Sequence, residues 1–139
     1  MDSELVVQKI ESLRRAVERI REKTPADPEV LERDYDLQDI IAVNLQRAIQ
    51  LSVDVGAHLI ADRGLSSPTS MSDTFAVLEQ EDVIDHALAD RLRRAVGFRN
   101  LSVHEYEKID WKRVHRTVTE HLSDFSDFAA VILNKTNET

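Results

Sequence analysis

Eight consecutive residues, Arg99-Asn100-Leu101-Ser102-Val103-His104-Glu105-Tyr106, bring a guanidinium, an imidazole and a phenol into one short stretch of chain. A guanidinium is permanently charged and planar, which suits a phosphate, and an imidazole exchanges protons near neutral pH. Together they are parts for cutting a phosphodiester without a metal. In such chemistry the protein has to move a proton, a task suited to His104, and to stabilise phosphoryl charge, a task suited to Arg99.

Spacing alone leaves a plainer reading open. A surface arginine followed by a histidine at a helix end has the same pattern, the imidazolium then meeting the negative end of the helix dipole. On a straight helix five residues turn His104 about 140° away from Arg99. A helix ending near Val103 would let His104 fold back over the Arg99 turn. Alternatively, each residue meets its counterpart from a second subunit in a dimer cleft.

The elements that must position these groups read as helices. The chain has 139 residues, the size of one domain, with three glycines, three prolines and few aromatics, which favours an all-α fold over residues 1–139. Val6, Ile10, Leu13, Val17 and Ile20 mark one face of a helix from about Ser3 to Lys23. Asp27-Pro28 reads as a cap and first-turn proline. It opens a long second helix whose stripe includes Ile41, Leu45, Ala48, Val55 and Leu59 and which stops at Gly64, before the loop containing Pro68. Ser72 or Asp73 is expected to cap a short helix carrying Phe75 and Leu78. A further helix after Glu81-Asp82, with Leu88, Leu92 and Val96, delivers Arg99. Asp110 caps a last helix bearing Trp111, Val114, Val118, Leu122, Phe125, Ala129 and Ile132, and the chain from Asn134 onward is expected to fray. These pieces make an up-and-down four-helix bundle with an extra short helix.

Composition narrows the function. Without cysteine there is neither a disulfide framework nor a thiolate metal site, and the cytoplasm is the expected compartment. No apolar run is long enough to cross a membrane and no export signal opens the chain. The formal charge of −8 argues against broad nucleic-acid binding, which depends on many cationic contacts, so any RNA site must be local. Arg47, Arg93 and Arg94 read as surface charges. Asp54 and His58, four apart on one helix face, could orient an imidazole or support the site, but two ligands make a poor metal centre and no metal or cofactor is expected. His86, His115 and His121 read as surface or partly buried histidines. Glu105 is close enough to raise the basicity of His104, and Asn100 either contacts RNA or satisfies a helix end.

The motif Arg99-x4-His104-x-Tyr106 resembles that of HEPN-domain ribonucleases, and Gly97-Phe98 before it and Glu107 to Asp110 after it resemble the HepT toxin branch. Leu37-Gln38-Asp39, Asn44-Leu45-Gln46-Arg47 and Val53-Asp54-Val55-Gly56-Ala57-His58 resemble the long second helix of that branch, and Ser72 to Leu78 and Leu92 to Tyr106 its path into the motif. The resemblance implies a metal-independent endoribonuclease acting as the toxin of a toxin–antitoxin pair, with Arg99 and His104 catalytic in a homodimer cleft and Asn100 and Asp54 contacting RNA or supporting them. It also implies that Tyr106 accepts AMP groups from a minimal nucleotidyltransferase antitoxin of the MntA type, which would block the cleft with anionic charge. From its residue type alone, the ring of Tyr106 suits stacking on a base or packing at a subunit seam. The competing reading is a non-catalytic helical partner or substrate-binding subunit of such a nucleotidyltransferase. A purely structural helical dimer is a third.

Overall fold

A computed structural model describes residues 3–137. Seven α-helices and one 3-10 turn follow one another: α1 (Ser3–Lys23), α2 (Pro28–Arg33), α3 (Tyr35–Asp62), α4 (Met71–Gln80), α5 (His86–His104), the 3-10 turn (Tyr106–Lys108), α6 (Trp111–His121) and α7 (Ser123–Asn137). There is no strand among the described residues. The all-α bundle read from the sequence is therefore the fold.

Local signals set several boundaries. α1 spans the expected range and buries Val6, Ile10, Leu13, Val17 and Ile20. Asp27 accepts a hydrogen bond from the Glu29 backbone N–H, with Pro28 at the first helical position. α3 ends at Asp62, and Gly64 takes a positive φ of 70°, which a residue without a Cβ adopts freely. Asp110 caps α6 through the Arg113 N–H.

Four expectations need correction. The long second helix is two helices, because Asp34 is extended (φ −97°, ψ 98°). Its N–H closes α2 on the Val30 carbonyl and its carboxylate caps α3 at the Leu37 N–H. Gln38 fastens that corner, donating from Nε2 to the carbonyls of Leu31 and Glu32 at 2.9 and 3.1 Å. The cap of α4 is Ser70 rather than Ser72 or Asp73, and Asp73 instead reaches back to the Thr69 N–H at 2.9 Å. The last helix divides at Leu122 into α6 and α7. Finally, the C-terminal segment is helical through Asn137, with Thr136 buried and its hydroxyl donating to the Ile132 carbonyl. Residues 138–139 lie outside the described residues.

α3 is the axis of the bundle, packed by α1, α2, α4, α5 and α7. At Gly56 a Cβ would come within 2.9 Å of Thr74 Cγ2 and 3.0 Å of Leu78 Cδ1, so α4 approaches the backbone of α3 here more closely than any side chain allows. Phe128 of α7 fills the neighbouring space, fully buried and edge-on to Phe75 with ring centroids 5.5 Å apart. Arg91 ties α5 to α7 with two bonds, of 2.8 and 3.0 Å, to the buried Asp124 carboxylate. Replacing Phe128 with Ala is expected to lower stability by about 3–5 kcal/mol through lost burial and the cavity left behind, read as a reduced midpoint in urea unfolding.

Candidate active site

α5 begins at the Asp85 cap and buries Leu88, Ala89, Leu92 and Val96. Arg99 follows Leu92 by two helical turns, so it lies toward the same side and is half-buried. Its Nη1 donates to Asn100 Oδ1 at 3.3 Å. Asn100 thus holds the guanidinium with a neutral amide, leaving its charge uncancelled.

The helix continues through His104 and ends at Glu105, whose N–H still donates to the Leu101 carbonyl at 2.8 Å. His104 is therefore the last helical residue, exposed and without a hydrogen-bond or ion-pair partner among the described residues. The fold-back imagined for a helix ending near Val103 does not occur. Five residues of continuous helix separate Arg99 from His104 by about 140° of turn and about 7.5 Å of rise. One chain does not converge them on a single face. Glu105 pairs with Lys108 at 2.8 Å rather than serving His104.

Two contacts register this end of α5 against α3. Ser102, buried, donates from Oγ to the Arg99 carbonyl at 2.8 Å and accepts from Gln46 Nε2 at 3.0 Å. Tyr106, opening the 3-10 turn, donates its hydroxyl proton to Asp39 Oδ1 at 2.6 Å. Its ring leans on Trp111, the centroids 5.9 Å apart. Burial, then the hydrogen bond to Asp39 and the negative charge of that carboxylate, push the phenol well above the ordinary tyrosine range. Asp39, Gln46 and Ser102 were not singled out from the sequence. The seven-residue spacing of Asp39 and Gln46 does place them on one face of α3, but nothing local says what that face meets.

Asp54 is held elsewhere. Its carboxylate accepts from Gln50 Nε2 at 3.0 Å and from Lys9 Nζ at 3.3 Å, tying α3 to α1, so it does not orient His58. It lies about 12 Å farther along α3 than Gln46 at the helical rise. No group of three or more His, Cys, Asp or Glu side chains among the described residues could hold a metal ion. His86 bonds Glu79 at 3.0 Å, His115 is buried with Nε2 2.7 Å from the Pro25 carbonyl, and His121 is exposed beside Glu120. Arg94 pairs with Asp90, Arg93 reaches Ser72, and Arg47 is exposed. Between α5 and α6 runs a groove of about 630 Å³ whose wall includes Phe98, Leu101 and Lys108 beside the motif, and Arg113 and Arg116 farther along. Neither of those two arginines has an ion-pair partner among the described residues.

The family model described as ribonuclease HepT-like matches residues 13–132. The chain belongs to the HepT-like ribonuclease family. The mRNA nuclease HepT of Shewanella oneidensis is 33% identical over 130 residues, 94% of this chain and 97% of that one. A tri-AMPylated HEPN toxin of the same organism, solved in complex with an MNT antitoxin, matches at a TM-score of 0.86 and 33% identity, covering 95% of this chain and 97% of that one. A toxin–antitoxin crystal structure with AMP-PNP gives 0.86 at 32% identity, over 95% and 98% of the two chains. The HepT-like assignment drawn from the motif is thus correct, and ribonuclease is its enzyme class.

With Tyr35 replaced by Phe, Tyr106 is the one tyrosine left. Its phenolate absorbance is expected to appear above the usual tyrosine midpoint, and Asp39→Asn is expected to bring the midpoint down. The sign for stability follows. The folded state holds the phenol protonated past the pH of about 10 at which an unfolded tyrosine ionises, so this contribution is complete below that pH. It is lost as pH rises through the higher folded value.

Proposed function

We propose that the chain is the toxin nuclease of a toxin–antitoxin pair, a metal-independent RNA endonuclease working as a homodimer in the cytoplasm. The observation that carries this reading is the helical phase of its motif. Arg99 keeps its charge beside a neutral amide and His104 is exposed and unpartnered, yet one continuous helix turns the two apart. Two copies packed along α5 complete what one lacks, the His104 of each chain approaching a phosphate held by Arg99. The exposed Val43 on α3 and Val103 on α5 lie on the two helices joined by Gln46 and Ser102 and suit a subunit seam. Arg113 and Arg116 supply the local cations that a chain of net charge −8 needs to draw in RNA.

In this reading His104 moves the 2′-OH proton and Arg99 stabilises the phosphoryl oxygens, with Asn100 fixing the guanidinium. Asp54 supports the site from a distance by fastening α3 to α1. Tyr106 is the acceptor of AMP groups from an MntA-like nucleotidyltransferase antitoxin. The tri-AMPylated relative in complex with its antitoxin supports this assignment, as does the position of the phenol two residues beyond His104.

The test is incubation of purified, unmodified protein with cellular RNA in chelator beside His104→Ala and Arg99→Ala. Cleavage leaving cyclic or 2′/3′ phosphate ends is expected from the unaltered chain. Loss of general acid–base catalysis should slow it by roughly 10²–10⁴-fold in the His104 variant. Arg99→Ala should cost on the order of 10²–10³-fold. Intact RNA in every sample would defeat the nuclease reading.

A further inference from the structure

Tyr106 and Asp39 stand 67 residues apart in sequence and are joined by a 2.6 Å hydrogen bond, the length of a charge-assisted O–H to carboxylate contact. Asp39 is not a helix cap, since Asp34 caps α3, and it has no cationic partner among the described residues. Its carboxylate is exposed and its one contact is the phenol proton. An acidic side chain fitted only for structure would more commonly meet an N–H group or a lysine or arginine.

A phenol is a weak nucleophile until its proton leaves, and a general base must lie within hydrogen-bond reach of that proton. From this geometry we infer that Asp39 is a catalytic residue for the modification of Tyr106, the toxin carrying within itself the base that activates its own acceptor oxygen. The inference rests on the reading of Tyr106 as the AMP acceptor. In the step, Tyr106 Oη forms a bond to the α-phosphorus of ATP, and the bond from that phosphorus to the bridging oxygen of the β-phosphate breaks. Pyrophosphate leaves, and the phenol proton passes to Asp39 Oδ1. The phenol proton already points at Asp39 Oδ1, so the carboxylate is the route by which the proton departs as the new bond forms. The antitoxin then has to supply ATP in line with an oxygen already oriented by α3.

The experiment uses the full chain, its cognate nucleotidyltransferase, ATP and magnesium, with mass spectrometry following the first AMP addition across a pH series. Asp39→Asn retains an accepting oxygen for the phenol, so the 3-10 turn should stay docked, but the amide takes no proton. Its rate is expected to fall on the order of 10²-fold at neutral pH and to climb with pH as hydroxide takes over, while the unaltered chain stays flat over the same range. Asp39→Glu should recover part of the rate. An Asp39→Asn rate equal to or above that of the unaltered chain, or a parallel pH profile, would overturn the proposal. Tyr106→Phe separates the two layers. If it takes no AMP while Asp39→Asn behaves like the unaltered chain, only the base is wrong. If it is still modified, the acceptor assignment and the role of Asp39 fall together.

Discussion

Burial of α3 along most of its length is the constraint on which the other helices depend. α1, α4, α5 and α7 each cover part of it, and at Gly56 the covering helix reaches the backbone itself. A helix so enclosed must satisfy its polar side chains at fixed points. Asn44 and Ser52 turn back onto their own helix, bonding the carbonyls of Ile40 and Ala48, while Gln38 closes α2 and Gln46 meets Ser102 of α5. Those last two bonds join α3 to other elements, so the polar positions of α3 act as a ruler. The motif on α5 is set against that ruler at two marks, Ser102 on Gln46 and Tyr106 on Asp39.

Charge placement follows the same economy. Several acids around α5 already have cationic partners: Glu105 is paired with Lys108, Asp90 with Arg94, and Asp124 of α7 with Arg91. Arg99 is tethered by an amide instead. An acidic protein thereby keeps a small cationic region without a basic composition. The surface pairs add little stability themselves, since exposed ion pairs contribute about 0–1 kcal/mol. Their importance here lies in which charges they remove from the site.

What the sequence makes legible is what neighbouring residues decide. The apolar spacing of α1, the Asp27-Pro28 opening, Gly64 after α3 and the Asp110 cap are local, and the structure places them as read. The motif itself was legible by residue type, as was the 140° problem, because helical phase is arithmetic. The break at Asp34 was hidden, since no proline or glycine stands between Pro28 and Gly56 and only Gln38 folding back makes the corner visible. Ser70 lost to Ser72 and Asp73 as a predicted cap because all three are capping types within four residues. The structural roles of Asp39 and Ser102 could not be read. Their meaning lies in partners brought by the fold from another helix, and no periodicity within one segment announces such a partner.

The bond between Tyr106 and Asp39 is also a latch, and its chemistry makes the latch sensitive to what the phenol carries. An oxygen esterified to phosphorus has no proton to donate. Any phosphoryl or nucleotidyl group on Tyr106 therefore abolishes the 2.6 Å contact and sets a phosphate anion beside a carboxylate. The 3-10 turn that follows His104 would then lose its hydrogen bond to α3, with the Tyr106 ring still leaning on Trp111. A covalent mark at this position unfastens the end of the motif helix as well as filling the space in front of it, so obstruction and loosening come from the same bond.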